Sequence, residues 1–241
     1  MIWTEQSLSS LTVKDGFRMR GENMTRIEVF SDAAFAFAVT MLVISLSTIP
    51  QNFGELIAAV FRIPSFAASF AIMMLIWITH RRWCERFGLD DGVSTFLTLA
   101  LIFVVLIYVY PLKLLMDLMF YAFSQRWFPT DFQVSDTSQV ALIVAIFSVG
   151  FFLIALIQSG LYLRAMSRND DLCLNPLEQL LVRKEVFVWL ALSTSALLVA
   201  LMAVAFKASI GYLAGIGYSL TPVIIFFATR PTRRAIQAKE L

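Results

Sequence analysis

The chain has 241 residues, of which 59% are apolar and only 15% charged, with a net charge of +2 and a mean hydropathy of +0.77. A soluble fold of this size cannot hide so much apolar surface. Disorder would need low hydrophobicity and high charge, and two cysteines, Cys84 and Cys173, are too few for a disulfide scaffold. The class that remains is an all-α, polytopic integral membrane protein, and the small net charge gives no reason to expect a nucleic-acid partner.

In chain order, residues 1–25 are mostly polar and lack the continuous apolar run of a cleavable signal peptide. They read as a cytoplasmic N-terminal segment. Crossing a bilayer core takes about 20 apolar residues. Stretches without Asp, Glu, Lys, Arg or His occur at 33–54, 63–79, 92–112, 137–163, 186–206 and 208–229. The second is short, but Pro64 suits a first helical turn, where its missing N–H costs little. Six spans therefore make one transmembrane domain, 26–230, followed by a basic tail, 231–241. The polar segment 125–138 reads as an extracytoplasmic loop, and 167–185 as a cytoplasmic loop with room for a short helix after Asn175-Pro176.

Six spans put both ends on one side. That side holds every Lys and Arg except four, namely Arg62, Lys113, Arg126 and Lys207. By the positive-inside rule both termini are cytoplasmic. Arg81, Arg82 and Arg86 fall in one cytoplasmic loop, and Cys84 and Cys173 lie in cytoplasmic loops where thiols stay reduced.

Catalytic signatures are missing. One histidine rules out a two-histidine metal motif, no G-x-S-x-G elbow or phosphate-cradling glycine loop occurs, and the spans are nearly free of ionisable groups. No enzyme, metal or cofactor is expected. The exception is Asp32, at the cytoplasmic start of the first span. Ser31 and Asp32 could cap a helix N-terminus, or Asp32 could belong to a buried polar cluster. His80 ends the second span at the same boundary, one turn after Trp77. It could donate to Asp32, or be solvated beside an interfacial Trp.

At 100° per residue, with Phe37 as zero, Ala33, Met41, Ile44 and Thr48 lie within about 40° of it, Thr40 about 60° to one side, and Asp32 about 140° away. Such a stripe commonly packs against protein or lipid. It could equally line a pore, with apolar rings narrowing the path and Thr40 hydroxyls touching a partly dehydrated ion.

Arg26-x-x-x-Phe30-Ser31-Asp32, followed by Ala-Ala-Phe-Ala-Phe-Ala-Val-Thr-Met-Leu-Val-Ile, resembles the signature of the transmembrane protein 175 family, the endosomal–lysosomal potassium channels and their prokaryotic relatives. Trp77-x-x-His80-Arg81 resembles a second pattern of that family. The resemblance implies a prokaryotic-type six-span chain in the plasma membrane, assembled as a homotetramer. Its central potassium-permeable pore would be lined by the first span and open to other monovalent cations or protons as further candidates. It places the constriction at Phe37, Met41 and Ile44 and the selectivity layer at Thr40. Arg26, Phe30, Ser31 and Asp32 would pack behind the pore with Trp77 and His80. Family members usually carry Ile or Leu where this chain has Phe37, and four phenyl rings could close the path further or offer π faces to a cation.

Gly215-Ile216-Gly217-Tyr218 is only superficially like a potassium-filter loop; Gly211 and Gly215 form a small-xxx-small pair suited to helix packing. Gln158, Ser159 and Gly160 read as interhelical contacts. Two other functions stay open from sequence. One is a secondary or proton-coupled transporter titrating Asp32 and His80. The other is a regulatory membrane protein whose stripe only packs.

Overall fold

Hydropathy and helix length agree on membrane-crossing helices. The computed structural model describes residues 3, 5–45, 50–125, 127–130, 132 and 134–206. Among these, five helical stretches are long and apolar enough to span a bilayer: Arg26–Ile44, Phe53–Phe87, Gly92–Phe123, Thr137–Ser167 and Pro176–Ala205. The sixth expected span at 208–229, with its glycine pair, lies outside the described residues, as do the tail, Thr48, Arg126 and Lys207. In chain order the elements are α1 (Glu5–Ser9), β1 (Val13–Lys14), β2 (Phe17–Arg18), α2 (Arg26–Ile44), α3 (Phe53–Phe61), α4 (Ile63–Phe87), α5 (Gly92–Phe123), α6 (Thr137–Ser167), α7 (Asn169–Leu172) and α8 (Pro176–Ala205).

The starts of α4, α5 and α6 coincide with the charge-free stretches, and several other boundaries reach beyond them. α2 starts at Arg26, earlier than expected, because Thr25 is its N-cap and accepts a hydrogen bond from the Glu28 amide. Ser31 and Asp32 are therefore interior residues, and the capping role considered for them does not apply. At its other end α2 stops at Ile44, and Phe53 and Gly54 already belong to α3. α4 runs through His80 to Phe87, so Arg81, Arg82 and Arg86 sit on helix and not in a loop. Gly88, in the left-handed region at φ 56°, closes it. Cys84 is thus a buried helical thiol, and Cys173 alone of the two is exposed; both are free. α5 likewise continues through Pro111 to Phe123. α8 begins at Pro176, where Asn175 and Glu178 form a reciprocal capping box, and runs unbroken into the fifth span. α3 and α4 meet at Arg62, whose backbone is itself helical. Pro64 removes one helical donor there, a common cause of a kink.

Packing is led by α6 against α8, then α5 against α6, with α2 laid on α5 and α4. One apolar cluster fills the middle of the bundle, from Phe35, Ala38 and Leu42 of α2 across Met73, Leu101, Val105, Tyr108 and Ile154 to Val199 and Ala203 of α8. A second cluster occupies one end, where Phe17 of β2 inserts among Trp83, Phe87, Tyr162, Leu172 and Leu181. The β1–β2 hairpin turns at Asp15-Gly16, both at positive φ. Asp-Gly is a pair that two-residue hairpin turns favour. This hairpin marks one end of the bundle.

Between helices, buried polar groups are mostly paired. The Gln158 amide donates to Thr79 Oγ1 at 3.3 Å, which makes Gln158 an interhelical contact as the sequence suggested. Ser159 instead bonds within α6, to the Leu156 carbonyl. Lys113 donates to Asp117 Oδ2 at 2.6 Å, and Ser65 of α4 donates to the same carboxylate, which joins α4 to α5. Arg164 of α6 bonds Asp91, the N-cap of α5.

Candidate functional site

The helix rule divides α2 into two faces, and the structure shows what each meets. Ser31, Phe35, Ala38 and Leu42 recur at three- and four-residue spacing and are all buried against α4 and α5. On the other side Phe37 is 57% exposed and Ile44 71% exposed, with Phe30, Val29 and Val43 exposed around them. Met41, on the flank, is half-buried. Of the expected stripe, Phe37 and Ile44 are therefore left exposed by the described residues, while Met41 packs partly against the core.

Thr40 is exposed beside that stripe, and its hydroxyl donates to the Ala36 carbonyl at 3.0 Å. A hydroxyl has one proton and two lone pairs. With the proton committed to its own helix, the Thr40 oxygen is left as an acceptor, the role that cation coordination needs.

The motif residues separate by face. Ser31 is 1% exposed and donates to the Glu28 carbonyl. Asp32 accepts a 2.8 Å hydrogen bond from the Trp77 indole of α4. The Arg81 guanidinium lies 5.4 Å over the Trp77 ring and bonds Glu85 at 2.7 Å. Asp32 thus has an uncharged donor, and the cation of the cluster is one ring away. Arg26 and Phe30, by contrast, are exposed on the side of Phe37. The cause is periodic: Phe30 precedes Phe37 by seven residues, within about 20° of two full turns. Ser31 and Asp32 thus lie on the side of α2 away from the stripe, and Arg26 and Phe30 on the side of the stripe.

His80 is buried, 1% exposed, with Nε2 3.3 Å from Thr98 Oγ1 of α5. Its ring lies between Phe35 and Trp83. It is neither solvated at an interface nor bonded to Asp32. Asp32 and His80 have different partners, so a hydrogen-bonded titrating pair is not what the geometry provides.

Sequence reasoning passed over the most heavily bonded carboxylate among the described residues. Glu178, in the first turn of α8, receives Arg20 Nη2 at 2.9 Å and Arg20 Nη1 at 3.1 Å, the Arg18 amide at 2.9 Å and the Asn175 amide at 2.9 Å. The capping-box spacing from Asn175 to Glu178 signalled a helix start, but no local pattern links it to an arginine over 150 positions earlier. Outside the helices, burial alone would push the Asp91 carboxyl up. The Ser94 amide, the Arg164 guanidinium and the Val93 amide outweigh it and hold that group below the ordinary carboxylate value.

The chain is similar to several known proteins. A family model described as endosomal/lysosomal potassium channel TMEM175 matches residues 26–111, which hold α2, α3, α4 and the first part of α5. A protein of Marivirga tractuosa named potassium channel is 38% identical over 167 residues, 67% of either chain. The crystal structure of a variant of the potassium channel MtTMEM175, bound to a nanobody fusion, superposes with a TM-score of 0.79 at 31% identity, covering 92% of this chain and 99% of that one. A TMEM175 homologue from Chamaesiphon minutus, described as a lysosomal potassium-selective channel, shares the fold alone. Its TM-score is 0.54 at 18% identity, over 86% of this chain and 96% of that one. With its apolar helices, the chain is an integral, multi-pass membrane protein, and it belongs to the TMEM175 family of potassium channels, a family of ion channels and not of enzymes.

Proposed function

We propose that the protein conducts potassium passively through a pore shared by four copies of the chain, each contributing α2. The observation that carries this is the division of α2. One face is fastened into its own subunit through Ser31, Phe35, Ala38, Leu42 and the Asp32–Trp77 bond, while Phe37 and Ile44 stay largely exposed among the described residues. The potassium-channel relatives support the choice of ion.

In this reading residues 26–230 form six spans, with the hairpin end, both termini and the basic tail in the cytoplasm. Rings of Phe37, Met41 and Ile44 narrow the path, so an ion crosses them partly dehydrated. Thr40 oxygens, with their protons bonded to Ala36, compensate part of the lost hydration. The phenyl faces of Phe37 attract a cation weakly. Ser31, Asp32, Trp77 and His80 set the angle of α2 from behind, while Arg26 and Phe30 stand on the pore side, where Arg26 adds positive charge near the cytoplasmic mouth.

Potassium flux from proteoliposomes tests this directly. Phe37→Ala removes the bulkiest ring; a barrier lower by about 1.4 kcal/mol raises flux about tenfold. Wild-type flux in that variant would show that Phe37 is not the constriction.

A further inference from the structure

The proposed pore-lining helix is held from the hairpin end by a device that sequence did not reveal. Phe17, fully buried, meets Phe87 edge-to-face at 5.3 Å between ring centroids. The next residues lie along the end of α4: the Arg20 amide donates to the Arg86 carbonyl at 3.4 Å, and the Gly21 amide to the Glu85 carbonyl at 3.0 Å. Close approach is built in. A Cβ on Gly21 would lie 2.4 Å from the Cys84 carbonyl oxygen, and one on Gly88 would lie 2.9 Å from the Arg20 carbonyl oxygen. Arg20 then turns away from α4 toward α7 and α8. Its guanidinium pairs with Glu178, both side chains being fully buried, and also bonds the Leu172 carbonyl at 2.8 Å. One short segment is thus fastened to α4, to the end of α7 and to the start of α8 at once.

Only Glu22, Asn23 and Met24, all exposed, separate this anchorage from Thr25, the N-cap of α2. Four residue steps span at most about 14 Å. The start of α2 therefore cannot move far unless the anchorage moves or breaks.

We propose that Arg20 and Glu178 are positioning residues for conduction: their buried pair locks the hairpin segment across α4, α7 and α8, and the three-residue tether then fixes where the cytoplasmic end of α2 stands relative to the pore axis. The inference rests on the pore-lining reading of α2. It differs from a purely structural role, in which the pair stabilises the subunit and the length of the tether is irrelevant.

The test lengthens the tether and leaves the pair intact. Gly-Ser, and separately Gly-Ser-Gly-Ser, is inserted between Asn23 and Met24 in the full chain, and potassium flux is measured in proteoliposomes beside wild type, Glu178→Gln and Phe37→Ala. Thermal unfolding is followed in parallel, since lengthening an exposed linker costs little stability. The proposal expects flux to change by about fivefold or more, the low end of coupling between linked elements. The change should be larger for the longer insertion, with an unaltered melting temperature, and Glu178→Gln should shift flux in the same direction. Wild-type flux in both insertions, while Phe37→Ala alters it, overturns the positioning role and leaves the pore reading standing. Wild-type flux in all the variants overturns both.

Discussion

Thr40 shows how much a single hydrogen bond decides. Its proton goes to Ala36 and its oxygen faces out from an otherwise apolar stripe. In the proposed pore, Thr40→Val keeps the shape and removes the acceptor, so the preference for potassium over sodium should fall. The bi-ionic reversal potential reads this, and an unshifted potential removes Thr40 from selectivity. Asp91 makes a different kind of prediction. It ties α5 to α6 through Arg164 and caps α5 through the Val93 and Ser94 amides, and its folded pKa is depressed. A depressed carboxylate stabilises the fold above its unfolded pKa, about 4, and loses that contribution as pH falls through the lower folded value. The gap in melting temperature between wild type and Asp91→Asn should therefore be present at neutral pH and narrow below about pH 4. Trp77 was legible as a neighbour of the Asp32 region because two motifs ended at one membrane boundary. That its indole, and not His80, would reach the carboxylate depends on side-chain direction across two helices, which spacing does not carry.

At the level of elements, the first five expected spans overlap the five helical stretches described; the starts at Ile63, Gly92 and Thr137 coincide with helix starts, whereas most of the other ends do not. A rule that stops a span at the first charge sees Thr79 and then His80, Arg81 and Arg82. The helix continues because Arg81 and Arg82 are exposed while His80, Trp83, Cys84 and Phe87 keep the buried periodicity. Charge marks where lipid ends, and helices do not have to end there. The polar N-terminal stretch was read only as a cytoplasmic segment, and it gave no sign that Asp15-Gly16 would turn a hairpin or that Phe17 and Arg20 would be buried. Close contact between elements gives a further prediction. Gly150 of α6 sits where a Cβ would lie 2.5 Å from the ring of Tyr108 on α5, and Tyr108 is itself buried. Gly150→Ala should cost about 1–3 kcal/mol by overpacking, read as a lower melting temperature in detergent. Because the strain lies between α5 and α6, away from the α2 stripe, potassium preference in the folded fraction should not change.

For the whole molecule, the uneven cover of the helices matters most. α2 keeps less of its surface inside the subunit than α5, α6 or α8 does, and what it leaves outside is Phe30, Phe37 and Ile44. In water such a face would drive association strongly. In a bilayer it does not, because acyl chains are as apolar as the side chains they touch, and association rests on shape and on polar contacts. The single subunit is accordingly compatible with the membrane, and the proposed assembly of four would follow mass action. Diluting the protein with excess lipid should split the oligomer, as cross-linking yield or single-particle bleaching counts would record, and conductance should vanish with it. On that reading, a cell could set its potassium permeability by how densely it populates the membrane with this chain.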